Sequence, residues 1–306
     1  MDTHSDRIVR ATVLTSLYNS ELFIEDYLKA LSLIEGKEMI EVLLLHNAPN
    51  EKEMEIINAY LPSLSFVKHI IIPQREFLYR TWNRGISLSQ GEYITVWNVD
   101  DVRFPESIVQ QIQALDDCPN AAVAYGDIWV SKVYGVCEGE LTNSPSHNRK
   151  KDFFKAYHMS CFQMWRKSIH ETIGYYDEQF RCSADFDFQI RAAIHFPFVK
   201  VKEVLGVYLD DQPFKISYNG CQQSENDIIN LRYGAYERLN IFRVCSSKKK
   251  YRKNHHLFFD EWHPFTEESQ FGLIYKAKGL FLSFFRSTIF EIKRIIKKML
   301  YGKKTN

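Results

Sequence analysis

Apolar, β-rich runs alternate with segments of helical pattern through the first hundred residues. Residues 9–16, 40–45, 66–72 and 93–98 read as strands, and 21–33, 52–60 and 79–88 as the helices between them. This alternation predicts an α/β fold with a mostly parallel central sheet flanked by helices on both faces. Further along, 121–128 and 198–208 read as strands, and 185–194 and 224–240 as helices. Residues 140–150, polar and rich in Ser, Asn and Pro, read as a surface loop. A Lys-rich break at 248–253 sets off the tail.

The chain has 306 residues, enough for one large domain with an extension or for two modest domains. Six cysteines, at 118, 137, 161, 182, 221 and 245, form no C-x-x-C and no spaced Cys/His set. That pattern argues against a structural zinc site and against a disulfide scaffold. With no secretory pattern at the N-terminus, a cytoplasmic location is expected.

The net charge of +1 hides an asymmetry. Residues 241–306 hold 15 Lys/Arg against 5 Asp/Glu, so the preceding 240 residues stand at −9. No apolar run reaches the roughly 18 residues that a membrane span needs. Within 273–300, Ala277, Phe281, Phe284, Thr288, Ile292, Ile295 and Met299 recur at helical spacing. Leu280, Phe285, Ile289 and Ile296 widen that stripe, and Lys276, Lys278, Arg286, Lys293, Arg294, Lys297 and Lys298 surround it. A basic amphipathic helix of this kind suits an anionic membrane surface. The alternative is a helix packed on its own domain or on another protomer. Nucleic acid is not among the expected partners.

The fourth strand runs straight into Asn98-Val99-Asp100-Asp101. At the C-terminal edge of an open α/β sheet, where ligands bind, two carboxylates suit a hard divalent cation and its diphosphate. Asp100 and Asp101 would equally serve to cap a helix beginning near Pro105. The first strand ends in Thr15-Ser16-Leu17-Tyr18-Asn19, where an aromatic ring and small polar groups can hold a base, or Asn19 or Ser20 can cap the next helix. The second ends in His46-Asn47-Ala48-Pro49, where the Asn47 amide offers a donor and an acceptor to a base edge, or simply makes a turn. No G-x-G-x-x-G or Walker loop follows either strand, which weakens a dinucleotide or ATPase reading.

Several motifs stand in a telling order. Tyr18-Asn19 is followed by Trp82-Asn83-Arg84-Gly85-Ile86, Gly91-Glu92-Tyr93-Ile94 and Asn98-Val99-Asp100-Asp101. Gly174-Tyr175-Tyr176-Asp177-Glu178 and Ser183-Ala184-Asp185-Phe186-Asp187, running to Arg191, come next. Over roughly residues 9–220 this series resembles the inverting family-2 glycosyltransferases of bacterial surface-glycan pathways. The resemblance implies a GT-A, Rossmann-like fold carrying a mainly helical, basic C-terminal extension. Domains are then expected at 1–225, for nucleotide-sugar binding and catalysis, and at 226–306.

The resemblance also implies roles. Asp100 and Asp101 match the motif that grips the ribose and a Mn²⁺ or Mg²⁺ ion, with Asn98 at its head. Ser16, Tyr18 and Asn47 fall where the family contacts the base. Asn83 and Arg80 belong to the nucleotide-sugar set, Arg80 as a diphosphate contact. Asp185 matches the general base. Three departures are visible: Asn98 stands where the acidic motif usually opens with Asp, His46-Asn47-Ala48-Pro49 where an acidic residue and Gly-Ser are common, and Ala184 where many members have Glu.

The chemistry fits these residues on its own terms. A carboxylate that takes the proton of an acceptor hydroxyl as it attacks is typically worth about 10²–10⁴-fold. Asp187 follows Asp185 by two residues, so on a helix their side chains diverge and only one should face the cleft. Asp187 and His158 are expected to border an acceptor site, with acceptor-contacting segments near 140–165 and 208–225.

The expected reaction moves a sugar from a UDP-, GDP- or dTDP-sugar to a hydroxyl of a glycan or lipid-linked acceptor. The expected setting is cell-envelope polysaccharide synthesis, peripherally on the cytoplasmic face of the inner membrane. One alternative is sugar nucleotidyl transfer, against which stands the absence of Gly and basic residues from 15–19. The other is a catalytically inactive GT-A-like partner docked on the membrane in a glycan-assembly complex.

Overall fold

The computed structural model describes residues 8–145, 150–210, 221–247, 250–267 and 271–301. The chain opens with β1 (Ala11–Leu17), α1 (Ile24–Leu33), β2 (Ile40–Asn47), α2 (Glu51–Tyr60), β3 (Val67–Ile72), α3 (Leu78–Leu88) and β4 (Tyr93–Val96). Each element expected in the first hundred residues forms, within a few residues of its expected bounds. β1 and β2 are buried along nearly their whole length, as suits strands covered on both faces. Alternate side chains of β1 enter opposite layers: Leu14 packs with Tyr79, Trp82 and Ile86 of α3, and Val13 with Leu28 and Leu31 of α1. Gly85 lets α3 lie this close, because a Cβ there would stand 2.7 Å from Leu45 Cδ1 and 2.8 Å from Leu14 Cδ2.

Next come β5 (Val102–Arg103), α4 (Ser107–Asp117), β6 (Val123–Tyr125), β7 (Trp129–Ser131), β8 (Glu140–Leu141) and α5 (Lys150–Phe153). They are followed by β9 (Met164–Arg166), α6 (His170–Ile173), α7 (Ala184–His195), β10 (Phe198–Lys200) and β11 (Gly206–Leu209). The main sheet has the order β10-β6-β9-β4-β1-β2-β3, parallel except for β9, which runs against both β4 and β6. A smaller sheet, β5-β11-β7-β8, lies beyond the end of β4. Residues 198–208, expected as one strand, divide between the two sheets because exposed Lys202 and Glu203 turn the chain between β10 and β11. Three-residue β9 was not foreseen, being too short to show a period.

The C-terminal part holds α8 (Cys221–Tyr233), α9 (Ile241–Ser247), the hairpin β12 (His255–Phe258) and β13 (Glu261–Pro264), and α10 (Leu273–Tyr301). The single helix expected over 224–240 is interrupted. Gly234 at φ 83 ends α8, and Ala235 N donates back to Asn230 O at 2.9 Å, closing a Schellman turn. The boundary expected at 225/226 falls inside α8. Ile228, Ile229, Tyr233, Tyr251 and Phe271 bury into the same core as Leu14 and Trp165, so the body continues through residue 271.

The tail helix forms as expected, with an unexpected inward face. Ser283 and Ser287 are 0 % and 2 % exposed. The Ser283 hydroxyl donates to Leu239 O, and Ser287 Oγ accepts from Ile241 N at 3.2 Å. A Cβ on Gly279 would lie 2.7 Å from Glu237 N. The helix therefore docks through a Gly-Ser-Ser stripe and turns its large apolar residues outward: Phe281 is 63 % exposed, Phe285 52 % and Ile289 53 %. Among the described residues no helix is long and apolar enough to cross a membrane. Residues 146–149 of the expected surface loop, 211–220 of the expected acceptor segments, 248–249 of the Lys-rich break, and the Lys298 side chain lie outside the described residues.

Candidate active site

β4, β1 and β2 are adjacent and parallel, so the loops after them share one edge of the sheet. The loop after β4 carries the acidic pair. Asp101 is 2 % exposed; its Oδ1 accepts from Leu209 N and its Oδ2 from Asn98 Nδ2, both at 3.2 Å. Trp97 Nε1 donates to the Asp101 carbonyl at 2.9 Å and fixes the turn. Asp100 is half-buried. Neither acid caps α4, which begins at Ser107 after Glu106 and has no side-chain cap. The helix-cap reading of the pair is thereby corrected.

The charges of the pair reach their neighbours. Burial, with the carboxylates of Asp26, Asp100 and Asp101 adding to it, pushes the Tyr134 phenol up to about 12. Burial and the same pair also raise the Tyr208 phenol and the Cys161 thiol. This edge therefore carries concentrated negative charge presented by hard oxygen donors, a set that fits a Mn²⁺ or Mg²⁺ ion.

At the β1 end, Ser16 is half-buried and Tyr18 is 38 % exposed. The exposed Arg75 lays its guanidinium 3.8 Å from the Tyr18 ring centroid. Arg75 drew no notice in the sequence, where a single Arg in a polar loop has no pattern. Neither Asn19 nor Ser20 caps α1; Ser20 instead donates from its amide and its hydroxyl to Glu53 Oε1, each at 2.6 Å.

The three asparagines each make hydrogen bonds within the protein. Asn47 Nδ2 donates to Thr81 Oγ1 and its Oδ1 accepts from Glu76 N, both at 3.0 Å. Its amide thus ties β2 to α3 and to the loop that bears Arg75. Asn83, fully buried, donates to Tyr176 O and Glu178 Oε1 and accepts from Tyr176 N, joining α3 to residues 174–178. Asn98 holds Asp101 through its amide nitrogen. Arg80 makes a bidentate pair with Asp260 in the turn between β12 and β13, at 2.5 and 2.7 Å.

Asp185 and Asp187, both in the first turn of α7, part company as their spacing requires. Asp185 Oδ1 accepts from Tyr79 Oη at 3.2 Å and from Phe186 N at 2.8 Å, with no ion pair among the described residues. Burial pushes its carboxyl up to about 6. Asp187, fully buried, accepts from Arg191 Nε at 2.8 Å, Arg232 Nη1 at 2.6 Å and Tyr233 Oη at 2.9 Å. Burial alone would raise its pKa, but the two guanidiniums outweigh it and hold the carboxylate well below its ordinary value. The expectation that Asp187 borders an acceptor site is corrected: it anchors α8 to α7. His158, half-buried, sets its ring edge-on to Phe153, and burial lowers its pKa. Gln189, one turn after Asp185, accepts from the backbone N of His158 and Met159, fixing the chain around residue 157 beside Asp185.

Two clusters among the described residues bring three metal-ligand side chains together, and neither includes the acidic pair. Asp177, Asp187 and His256 surround Arg232, whose Nη1 lies 3.0 and 2.6 Å from the two carboxylates, so a guanidinium already fills that centre. In the other, Glu225 receives the backbone N of Arg181 and Cys182 and the Tyr251 hydroxyl beside Cys182 and Cys221.

The family model described as "Glycosyl transferase family 2" matches residues 12–174. An uncharacterized glycosyltransferase of Methanocaldococcus jannaschii is 25 % identical over 213 residues, covering 66 % of this chain and 71 % of the relative. Among solved structures, residues 1–349 of S. aureus TarS superpose with a TM-score of 0.59 at 14 % identity, over 97 % of this chain and 76 % of that one. The mannosyltransferase PcManGT of Pyrobaculum calidifontis, in complex with GDP-Man and Mn²⁺, superposes at 0.51 and 13 % identity, over 78 % and 65 %. Likeness at such identities speaks to the fold, which is the mixed α/β GT-A arrangement with a C-terminal helix.

Proposed function

The chain belongs to glycosyl transferase family 2 and is a glycosyltransferase, and on that premise we propose that it moves a sugar from a nucleoside-diphosphate donor to an acceptor hydroxyl with inversion. The observation that carries this reading is Asp185, a desolvated carboxyl with a pKa of about 6 and no cation of its own among the described residues. At neutral pH it is ionised yet basic enough to accept a proton, as a general base must be. The Tyr79 hydroxyl orients it. It takes the acceptor's proton as that oxygen attacks the anomeric carbon, and the nucleoside diphosphate leaves from the opposite face in a single displacement.

The donor lies along the edge formed by the ends of β1 and β4. Tyr18, Arg75 and Ser16 hold the base side, and Asp100 the ribose. Asp101 and Asp100 would hold a Mn²⁺ or Mg²⁺ ion, which would supply positive charge to the leaving diphosphate. Asn47, Asn83 and Asn98 are positioning residues. Arg80 meets a diphosphate only by sharing its charge with Asp260. Solved TarS with UDP-GlcNAc or UDP, and PcManGT with GDP-Man, supports a nucleotide-sugar donor of the UDP, GDP or dTDP kind.

The outward apolar face of α10, flanked by Lys276, Lys278, Arg286, Lys293, Arg294 and Lys297, rests on an anionic membrane surface. That placement brings a glycan or lipid-linked acceptor to the site, as in cell-envelope polysaccharide synthesis on the cytoplasmic face of the inner membrane. A thermal-shift series with UDP, GDP and dTDP, with and without Mn²⁺, tests the donor half. At least one nucleotide should raise the midpoint in a Mn²⁺-dependent manner that Asp101→Asn removes. No shift with any of the three would refute it.

A further inference from the structure

Beside the loop that follows β1, four side chains join in one chain of hydrogen bonds. Glu53 of α2, 1 % exposed, is its centre. Its Oε1 accepts from Ser20 N and Ser20 Oγ, each at 2.6 Å, and its Oε2 lies 3.1 Å from His46 Nε2 at the end of β2. His46 Nδ1 in turn lies 3.0 Å from Nε2 of His69 on β3. A carboxylate only accepts, so neutral His46 carries its proton on Nε2, and His69 donates from its own Nε2 to His46 Nδ1. Both oxygens of Glu53 and both ring nitrogens of His46 are thereby satisfied within the protein.

This chain grips a short span of backbone from both sides. Leu17, the last residue of β1, pairs in register with His46, so the sheet anchors one end of Tyr18-Asn19. Glu53 anchors the other end through Ser20. Between the anchors Asn19 sits at φ 51, in the left-handed region that residues other than glycine seldom adopt. Without the Ser20 anchor, Asn19 is free to return to an ordinary backbone region, which turns the Tyr18 ring away from the Arg75 guanidinium. Resting on the placement of the base at Tyr18 given above, we infer that Glu53 is a positioning residue for the nucleotide-sugar, acting through Ser20 on the ring that holds the base. His46, backed by His69, keeps the carboxylate aimed at Ser20. None of the four touches Asp100, Asp101 or Asp185, so the network sets donor affinity and leaves the chemical step alone.

Binding of UDP, GDP or dTDP with Mn²⁺, together with donor turnover, tests this on the full chain. Glu53→Ala removes two hydrogen bonds to a charged acceptor, and should weaken nucleotide binding and raise the donor KM by at least about tenfold. Its kcat at saturating donor should stay within about threefold, because losing binding common to ground and transition states spares the chemical step. Glu53→Gln should restore affinity to within about threefold of wild type, since its carbonyl still accepts from Ser20 while its NH₂ turns to His46 Nε2. Both imidazole protons then move from Nε2 to Nδ1, a tautomer change that heteronuclear NMR of the ring nitrogens reads at alkaline pH. Ser20→Ala leaves the carboxylate and both rings in place, should weaken binding by at least about threefold, and decides the matter if Glu53→Ala does not fold. The inference is overturned if these variants bind nucleotide like the wild type, if kcat falls as far as affinity, or if Glu53→Gln binds no better than Glu53→Ala. Should the wild type bind no nucleotide, the donor reading falls; should it bind and the variants match it, only the role of Glu53 falls.

Discussion

The Tyr79 hydroxyl donates to Asp185 Oδ1 at 3.2 Å, so α3 holds the carboxyl that α7 presents. That bond favours the charged carboxylate and partly offsets the burial that raises its pKa to about 6. Tyr79→Phe removes the donor and leaves the ring in place. The acid limb of a kcat/KM profile, near pH 6 in the wild type, should move up by about 0.5–1 unit, with activity at pH 8.5 nearly unchanged. An unmoved limb would mean that the bond does not tune the base.

The raised pKa has a consequence for stability. The Asp185 carboxyl binds its proton more tightly in the folded protein, at about 6, than at its ordinary 3.8. Its contribution is therefore full below about pH 3.8, declines as pH rises toward 6, and is lost above that. At pH 7 the fold carries a desolvated charge that Asp185→Asn relieves. Discounted for partial solvent access, the variant should be more stable by about 1–2 kcal/mol at pH 7, with the gap closing toward pH 4. Urea titrations at the two pH values measure this, and a variant less stable at pH 7 contradicts it.

Two residues on, the opposite holds. Arg232 and Asp187, both with fully buried side chains, meet at 2.6 Å and fasten α8 to α7. Removing one member of such a pair leaves a buried charge uncompensated, so Arg232→Ala should cost about 3–5 kcal/mol. A loss below about 1 kcal/mol in denaturant unfolding would show that the pair is not what joins the C-terminal elements to the core.

Phe281, Phe285 and Ile289 stand more than half exposed on α10. Replacing all three with Ser should lower binding to anionic phospholipid vesicles by at least about tenfold, since exposed apolar area and basic charge drive such contacts. The melting temperature should stay within a degree or two, because the docking stripe of Gly279, Ser283 and Ser287 is untouched. Unchanged vesicle binding would assign the apolar face to something other than lipid.

Much of this was legible in the chain. The four strands and intervening helices show in local periodicity, and the acidic pair Asp100-Asp101 shows as the end of the fourth, whereas Asp185 stands out through the family resemblance. What stayed hidden depends on distant contacts. Asn47 and Asn83 read as ligand contacts, but motif spacing does not reveal that both ends of each amide bond within the protein. Arg75 became visible only through its stacking on Tyr18. Period 3.6 located the stripe of α10 without telling which face turns inward, and small residues, not large apolar ones, turned out to make the contact. The extension's return to the core hangs on Arg232, a lone cation in a polar helix with no local partner.

The most direct measurement is nucleotide release from a sugar donor, selected by the Mn²⁺-dependent shift, in wild type and Asp185→Asn. A positioned general base accounts for about 10²–10⁴-fold. The variant should therefore turn over at least about a hundredfold more slowly while binding the Mn²⁺–nucleotide as tightly as wild type. Turnover within about fivefold of wild type, at equal nucleotide affinity, would show that Asp185 is not the base.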